Sequence, residues 1–176
     1  MGKSVILVDC DLRLPSIDQL IKPRKEKPGL LSVLEGRVSF QDAVYEEPRS
    51  GLHALMVGPG ERRPQLNAAD ILSSHRFASL LGMLSERYDL VVIDAPPSLI
   101  VTDARVMSPL VDTIVYVVRW NRTPRSAVRE GLKELRAIGA PVAGIALTLV
   151  DEAKAKTVSR NGYSYHRADY MGYYKN

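Results

Sequence analysis

Val5-Ile6-Leu7-Val8-Asp9-Cys10-Asp11-Leu12-Arg13 and, 85 residues further on, Leu90-Val91-Val92-Ile93-Asp94 share one pattern, an unbroken apolar run that stops on an aspartate. Runs of this length without polar alternation are the signature of strands buried on both faces. Leu52 to Val57, closed by Gly58-Pro59-Gly60, reads as a further strand, as do Thr113 to Val118 and Val142 to Val150. Helical periods lie between them. Ala69 to Leu72 followed by Phe77, Leu80, Leu81 and Leu84 makes one apolar face, and Val128, Leu132, Leu135 and Ile138 make another. For the second, Thr123 is the expected N-cap, Pro124 the first helical residue and Gly139 the stop. Buried strands alternating with helices predict an α/β fold, a mostly parallel sheet covered by helices on both faces. Ligands of such sheets bind beyond the carboxyl ends of the strands, which is where Asp9 and Asp94 stand.

The 176 residues fit one domain, and 45% hydrophobic with 25% charged residues is the balance of a soluble globular chain, excluding disorder throughout. No apolar run approaches the roughly 18 residues of a membrane span, and the stretch from Met1 to Val8 is too short for a secretory signal, so a cytoplasmic location is expected. A lone cysteine excludes an internal disulfide framework and a cysteine-based zinc site. Cys10 lies between Asp9 and Asp11, whose charges oppose thiolate formation, and reads as an inert strand residue. The net charge of +4 is clustered. Lys22, Arg24, Lys25 and Lys27 occupy a Pro-bounded loop, and Arg125, Arg129, Lys133 and Arg136 fall on one helix face, partly neutralised by Glu130 and Glu134. Such a face is either solvated or meets anionic lipid or an acidic partner; no recognised nucleic-acid module accompanies it, so nucleic acid is not an expected partner.

Composition shifts after Asp151, which divides the chain into a domain, 1–151, and a tail, 152–176. Tyr163, Tyr165, Tyr170, Tyr173 and Tyr174 fall within the last fourteen residues, mixed with Gly162, Ser164, His166, Arg167 and Lys175, where no hydrophobic period survives. They read either as phenols offered for modification or as an aromatic docking tail. Five basic against two acidic side chains give residues 152–176 a formal charge of +3, which two or three phosphates, each about −1.5 to −2, would reverse.

A single aspartate at a strand end is commonly a cap or turn residue. Two on one sheet edge suit a hard cation, because Mg²⁺ keeps several waters and takes one or two carboxylates together with phosphate oxygens.

With these residues in view, the chain resembles the bacterial tyrosine kinases, the cytoplasmic kinase domains attached to or partnered with inner-membrane polysaccharide co-polymerases. Val5 to Pro15 looks like their second Walker-type motif, a hydrophobic strand followed by Asp-x-Asp-x-Arg, and Val91-Val92-Ile93-Asp94-Ala95-Pro96-Pro97 like their Walker B strand. Thr102-Asp103-Ala104, Val117-Val118-Arg119 and Gly144 to Asp151 match later segments in order, and the tyrosine tail completes the pattern. The resemblance implies a P-loop NTPase fold of the deviant-Walker kind shared with MinD and ParA, with ATP and Mg²⁺ as cofactors. It implies an autokinase that regulates exopolysaccharide or capsular polysaccharide synthesis and export at the inner face of the plasma membrane, partnered by a co-polymerase and a cognate protein-tyrosine phosphatase and oligomeric in its complete form. By the same resemblance Asp9 and Asp94 hold Mg²⁺ mainly through water, and Asp9 or Asp11 orients or deprotonates the attacking tyrosine hydroxyl. Asp103 is a supporting residue, Arg119 a contact to the nucleotide base, and the five tail tyrosines are the phosphoacceptors.

Two departures qualify this. The family carries a strand, a phosphate loop Gly-x-x-x-x-Gly-Lys-Ser/Thr and a helix ahead of the Asp-x-Asp-x-Arg strand; Gly2-Lys3-Ser4 imitates only the end of that loop and leads into a strand instead of a helix. The chain is therefore expected to begin inside the domain, which leaves the Walker B strand without its central neighbour, its apolar edge open. Thr148 also stands where the family has an Asn that reads adenine. A MinD/ParA-like positioning ATPase and a non-catalytic phosphoacceptor module are the alternatives.

Overall fold

The computed structural model describes residues 2–23, 26–61, 67–99 and 101–151, so the tail and its five tyrosines lie outside the described residues, as do Arg24 and Lys25. Strand β1 (Val5–Asp9) occupies the middle of a four-stranded sheet ordered β2-β3-β1-β4, with β2 (Tyr45–Glu46), β3 (His53–Leu55) and β4 (Leu90–Asp94). β1 runs parallel to β3 and β4, and β2 is antiparallel to β3. A second, two-stranded parallel sheet joins β5 (Ile114–Arg119) to β6 (Val142–Thr148). The architecture is thus the expected α/β one, but the expected single sheet is divided between β4 and β5.

The alternation of side chains across β1 explains what is buried. Ile6 and Val8 point into the core, where Leu30, Leu55, Leu72, Phe77 and Leu84 are also fully enclosed. Most of these come from helices: α2 (Leu30–Leu34), α4 (Ala68–Leu72) and α5 (His75–Arg87). Phe77, Leu80, Leu81 and Leu84 of α5 recur every three to four residues and all face inward, each contributing about 1.5–3 kcal/mol by leaving water. The single apolar face expected over 69–84 is in fact two helices, because the Ser74 hydroxyl accepts the Phe77 amide at 3.2 Å and starts a new one.

Three more short helices, α1 (Ile17–Ile21), α3 (Phe40–Ala43) and α6 (Asp103–Met107), complete the first layer; a single 3-10 turn, Ser108–Leu110, leads into β5. Helix α7 (Arg125–Ala137) packs on the second sheet, with Gly131 seated against the Tyr116 ring of β5. Its N-cap position is taken by Pro124, in an extended conformation, and not by the expected Thr123; Gly139, at φ 68°, ends it as predicted. The strands expected over 52–57 and 142–150 are shorter, ending at Leu55 and Thr148.

On the face of β1 and β4 opposite the core, Leu90 and Val92 are 52% and 40% exposed, and on β5 Val117 is 63% exposed. No strand is hydrogen-bonded between β4 and β5 among the described residues, so the apolar edge foreseen at β4 is open. Also among the described residues, no helix is long and apolar enough to cross a membrane.

Candidate active site

Parallel pairing sets Asp9 directly opposite Asp94, at the last position of both strands, and the Cys10 amide donates to the Asp94 carbonyl at 2.9 Å, holding the two chains together just past that point. Asp9 is 1% exposed. Its Oδ1 accepts the Asp11 amide at 3.2 Å, whereas Oδ2 is enclosed without a hydrogen-bond partner among the described residues. A buried carboxylate oxygen left in this state is costly, which makes the position a candidate for a bound group. Burial first, and then the charge of Asp94, pushes the Asp9 carboxyl up to about 6, although the amides of Ile17 and Asp11 pull the other way. Asp94 is raised as well, by burial and by Asp11. Two carboxyls that disfavour each other's ionisation, one with an oxygen to spare, fit a hard divalent cation. Among the described residues no group of three or more potential metal ligands occurs, so a cation here would complete its shell with water and substrate oxygens.

The loop after β1 is built by Asp11 and Arg13. Asp11 Oδ1 accepts the amides of Arg13 at 3.2 Å and Leu14 at 2.9 Å, closing a turn of the kind short acidic side chains form. Arg13 then reaches the fully buried Asp103 at the start of α6 with two bonds, Nε to Oδ2 at 2.7 Å and Nη2 to Oδ1 at 3.1 Å. This fork is the strong form of an ion pair, and Asp103 holds the guanidinium still further above its ordinary range. Asp103 therefore positions the Asp9–Arg13 loop from beneath. Cys10 is fully buried; burial above all, then Asp9 and Asp94, raises its thiol, so it is inert as expected, though Asp11 is not a cause.

Arg119 is exposed at the carboxyl end of β5, paired in register with Thr148 of β6, whose carbonyl accepts the Trp120 amide at 3.0 Å. No hydrogen bond or ion pair links Arg119 to Asp9, Asp11 or Asp94. The two layers are tied instead by Arg105 of α6 and Glu134 of α7, 3.0 Å apart, so Glu134 is not available to the basic row of its own helix; Glu130 is, 3.8 Å from Lys133.

Glu61 escaped the sequence reading. Only 4% exposed, it accepts the amides of Gly29, Leu31, Ser32 and Gly58 at 2.9–3.3 Å as well as the Ser32 hydroxyl. Burial pushes its carboxyl up, but the Ser32 hydroxyl and these amides outweigh it and hold it below the usual range. It staples the loop after β3 to the start of α2, where a side chain on Gly29 would strike the Gly58 backbone. A Gly-Pro-Gly-Glu sequence was the available signal.

No protein-family model matches the chain. Among curated proteins it is similar to the putative tyrosine-protein kinase EpsB of Ralstonia nicotianae and to the succinoglycan biosynthesis transport protein ExoP of Rhizobium meliloti, each 32% identical over 174 residues, 98% of this chain and 22% of theirs. It thus spans about a fifth of the length of these relatives. Among solved structures, the VpsO kinase domain is 35% identical, with a TM-score of 0.76 over 82% of this chain and 70% of that one. The chain belongs to the bacterial tyrosine-kinase family. The septum site-determining protein MinD of Pyrococcus horikoshii, solved with Mg-ADP, is 19% identical at a TM-score of 0.65 over 83% of this chain and 58% of that one, which shows a shared P-loop NTPase fold and nothing further.

Proposed function

We propose that this chain is the aspartate-bearing part of an ATP-dependent protein-tyrosine autokinase that regulates exopolysaccharide synthesis. The observation that carries this reading is the in-register pair Asp9–Asp94 with the orphaned, buried Oδ2 of Asp9. Asp9 and Asp94 would hold Mg²⁺, partly through water; bound there, the ion neutralises charge on the transferring phosphoryl group of ATP. Asp11 keeps one oxygen on the amides of its own turn and has the other available to take the proton of a tyrosine hydroxyl, whose ordinary pKa near 10 calls for such help. Arg13 and Asp103 fix that turn, and Arg119 meets the nucleotide base. The phosphoacceptors are Tyr163, Tyr165, Tyr170, Tyr173 and Tyr174. The name of EpsB supports the kinase and that of ExoP, a succinoglycan biosynthesis transport protein, the polysaccharide setting, which brings with it a membrane-embedded co-polymerase, membrane association, an opposing phosphatase and an oligomeric assembly. Within this reading the domain runs over 1–151 and the tail over 152–176.

The test is mass spectrometry of the tail after incubation of the protein, expressed from its complete reading frame, with ATP and Mg²⁺. Phosphate accumulates on tyrosines in the wild type and falls on the order of a thousandfold in Asp9→Asn and Asp94→Asn, the scale expected for loss of an effective metal site. Unchanged accumulation in both variants overturns the assignment. A wild type that is modified only by an added kinase makes the chain a phosphoacceptor module instead.

A further inference from the structure

Between α7 and the outer half of the second sheet lies a groove of about 600 Å³. Its walls are Val128 and Leu132 of α7 and Ile145 and Leu147 of β6, the last two more than half exposed, and Arg125 and Arg129 line it. The carboxylates nearest in sequence are engaged elsewhere, Glu134 with Arg105 and Glu130 with Lys133, and no described carboxylate pairs with Arg125 or Arg129. Apolar walls beside unpaired guanidiniums fit a flat aromatic ring that carries an anion. Arg prefers phosphate to most partners because its planar fork matches two oxygens at once. A free phosphate or a lipid headgroup would satisfy the guanidiniums and leave Ile145 and Leu147 in water.

We propose that this groove binds phosphotyrosine from the chain's own C-terminal segment, residues 163–174. The segment is close by connectivity. Leu147 in the groove wall precedes Asp151 by four residues, and the twelve from there to Tyr163 can span up to about 40 Å, so a phosphorylated side chain is held near the groove at high effective concentration. The sign of the charge makes the contact conditional. Unmodified, residues 163–174 are formally neutral, Arg167 against Asp169, and no charge draws them to the arginines; phosphates on Tyr163 and Tyr165, about −1.5 to −2 each, make them anionic and the contact attractive. Docking would withdraw the modified tail from neighbouring molecules. The proposal rests on the autokinase reading only for the origin of the phosphate, and its test supplies the phosphate independently.

The test is fluorescence anisotropy on the unphosphorylated full chain with labelled peptides of residues 159–170. The peptide bearing phosphotyrosine at 163 and 165 binds saturably, the unmodified peptide at least tenfold more weakly. A peptide with phosphoserine at the same positions, equal in charge but lacking the ring, is at least fivefold weaker. Arg125→Gln with Arg129→Gln, both exposed helix positions, weakens the phosphotyrosine peptide at least tenfold while circular dichroism is unchanged. Finally, full chain with phosphotyrosine installed biosynthetically at 163 and 165 resists the labelled peptide to the same degree at every protein concentration. Equal affinity for phosphoserine and phosphotyrosine would reduce the effect to charge attraction and overturn the ring site. An unaffected arginine double variant would place binding elsewhere, and a concentration-dependent block would assign the groove to another copy's tail.

Discussion

Replacing Asp9 by Asn is the sharpest perturbation the structure offers, because burial makes this carboxylate a burden when no cation accompanies it. Its carboxyl is pushed up to about 6 from an ordinary value of 3.8, so the folded state holds the proton more tightly than the unfolded one. A raised acid contributes its stability fully below the unfolded pKa and loses it as pH rises through the folded pKa. Two pKa units and a fraction, at 1.36 kcal/mol each, come to about 3 kcal/mol lost by pH 7.5; at pH 4 only about half a kcal/mol has gone. Asn cannot ionise, so the stability of Asp9→Asn relative to wild type should rise by about 2–3 kcal/mol between pH 4 and 7.5. Packing costs of the amide are independent of pH and cancel in that difference. Urea unfolding of both proteins at the two pH values, without divalent cations, measures it. A difference below about 0.5 kcal/mol would mean that Asp9 is satisfied in the folded state, and the argument from its orphaned oxygen would fail.

Two further substitutions test how the site is held. Glu61→Ala strips the α2 start and the Gly58 loop of a buried acceptor shared by four amides and a hydroxyl, and should cost about 3 kcal/mol or more in urea unfolding at pH 7, with a smaller loss as pH falls through the depressed folded-state pKa of Glu61. Gly131→Ala should destabilise by about 1–2 kcal/mol despite the better helix propensity of Ala, because the new methyl meets the Tyr116 ring, and a Tyr116→Phe background should recover about half of that loss.

The Asp9–Asp94 half of the candidate site was legible because it depends on local pattern: an apolar run fixes a buried strand, and the residue that ends it must sit at the sheet edge. Asp9 and Asp94 follow from that, whereas the open edge at Leu90 and Val92 was expected only from the family resemblance. Helices of four or five residues such as α1, α2 and α3 are too short to show a 3.6-residue period, and the two residues of β2 show no period at all. Ser74, by contrast, was a legible cap that the run of apolar residues around it concealed. The fork between Arg13 and Asp103 joins positions ninety apart, and the Glu61 staple joins a loop to a helix about thirty residues away. Neither has a local signature, since only the tertiary fold brings such distant partners within reach. The five tyrosines were legible as a composition and remain a matter of chemistry to be tested.

The central claim is that Asp9 and Asp94 together hold a divalent cation. Mn²⁺, standing in for Mg²⁺, can be titrated into the protein expressed from its complete reading frame, with ATP present, and followed by the relaxation rate of water protons. Wild type should show saturable enhancement; Asp9→Asn and Asp94→Asn should each lower the affinity at least tenfold, and Asp70→Asn, at an exposed position of α4 bonded to Asn67, should leave it unchanged. If Mn²⁺ binds equally well to both site variants and to the wild type, the pair is not the metal site and the account of this chain as the aspartate-bearing part of the kinase centre is contradicted.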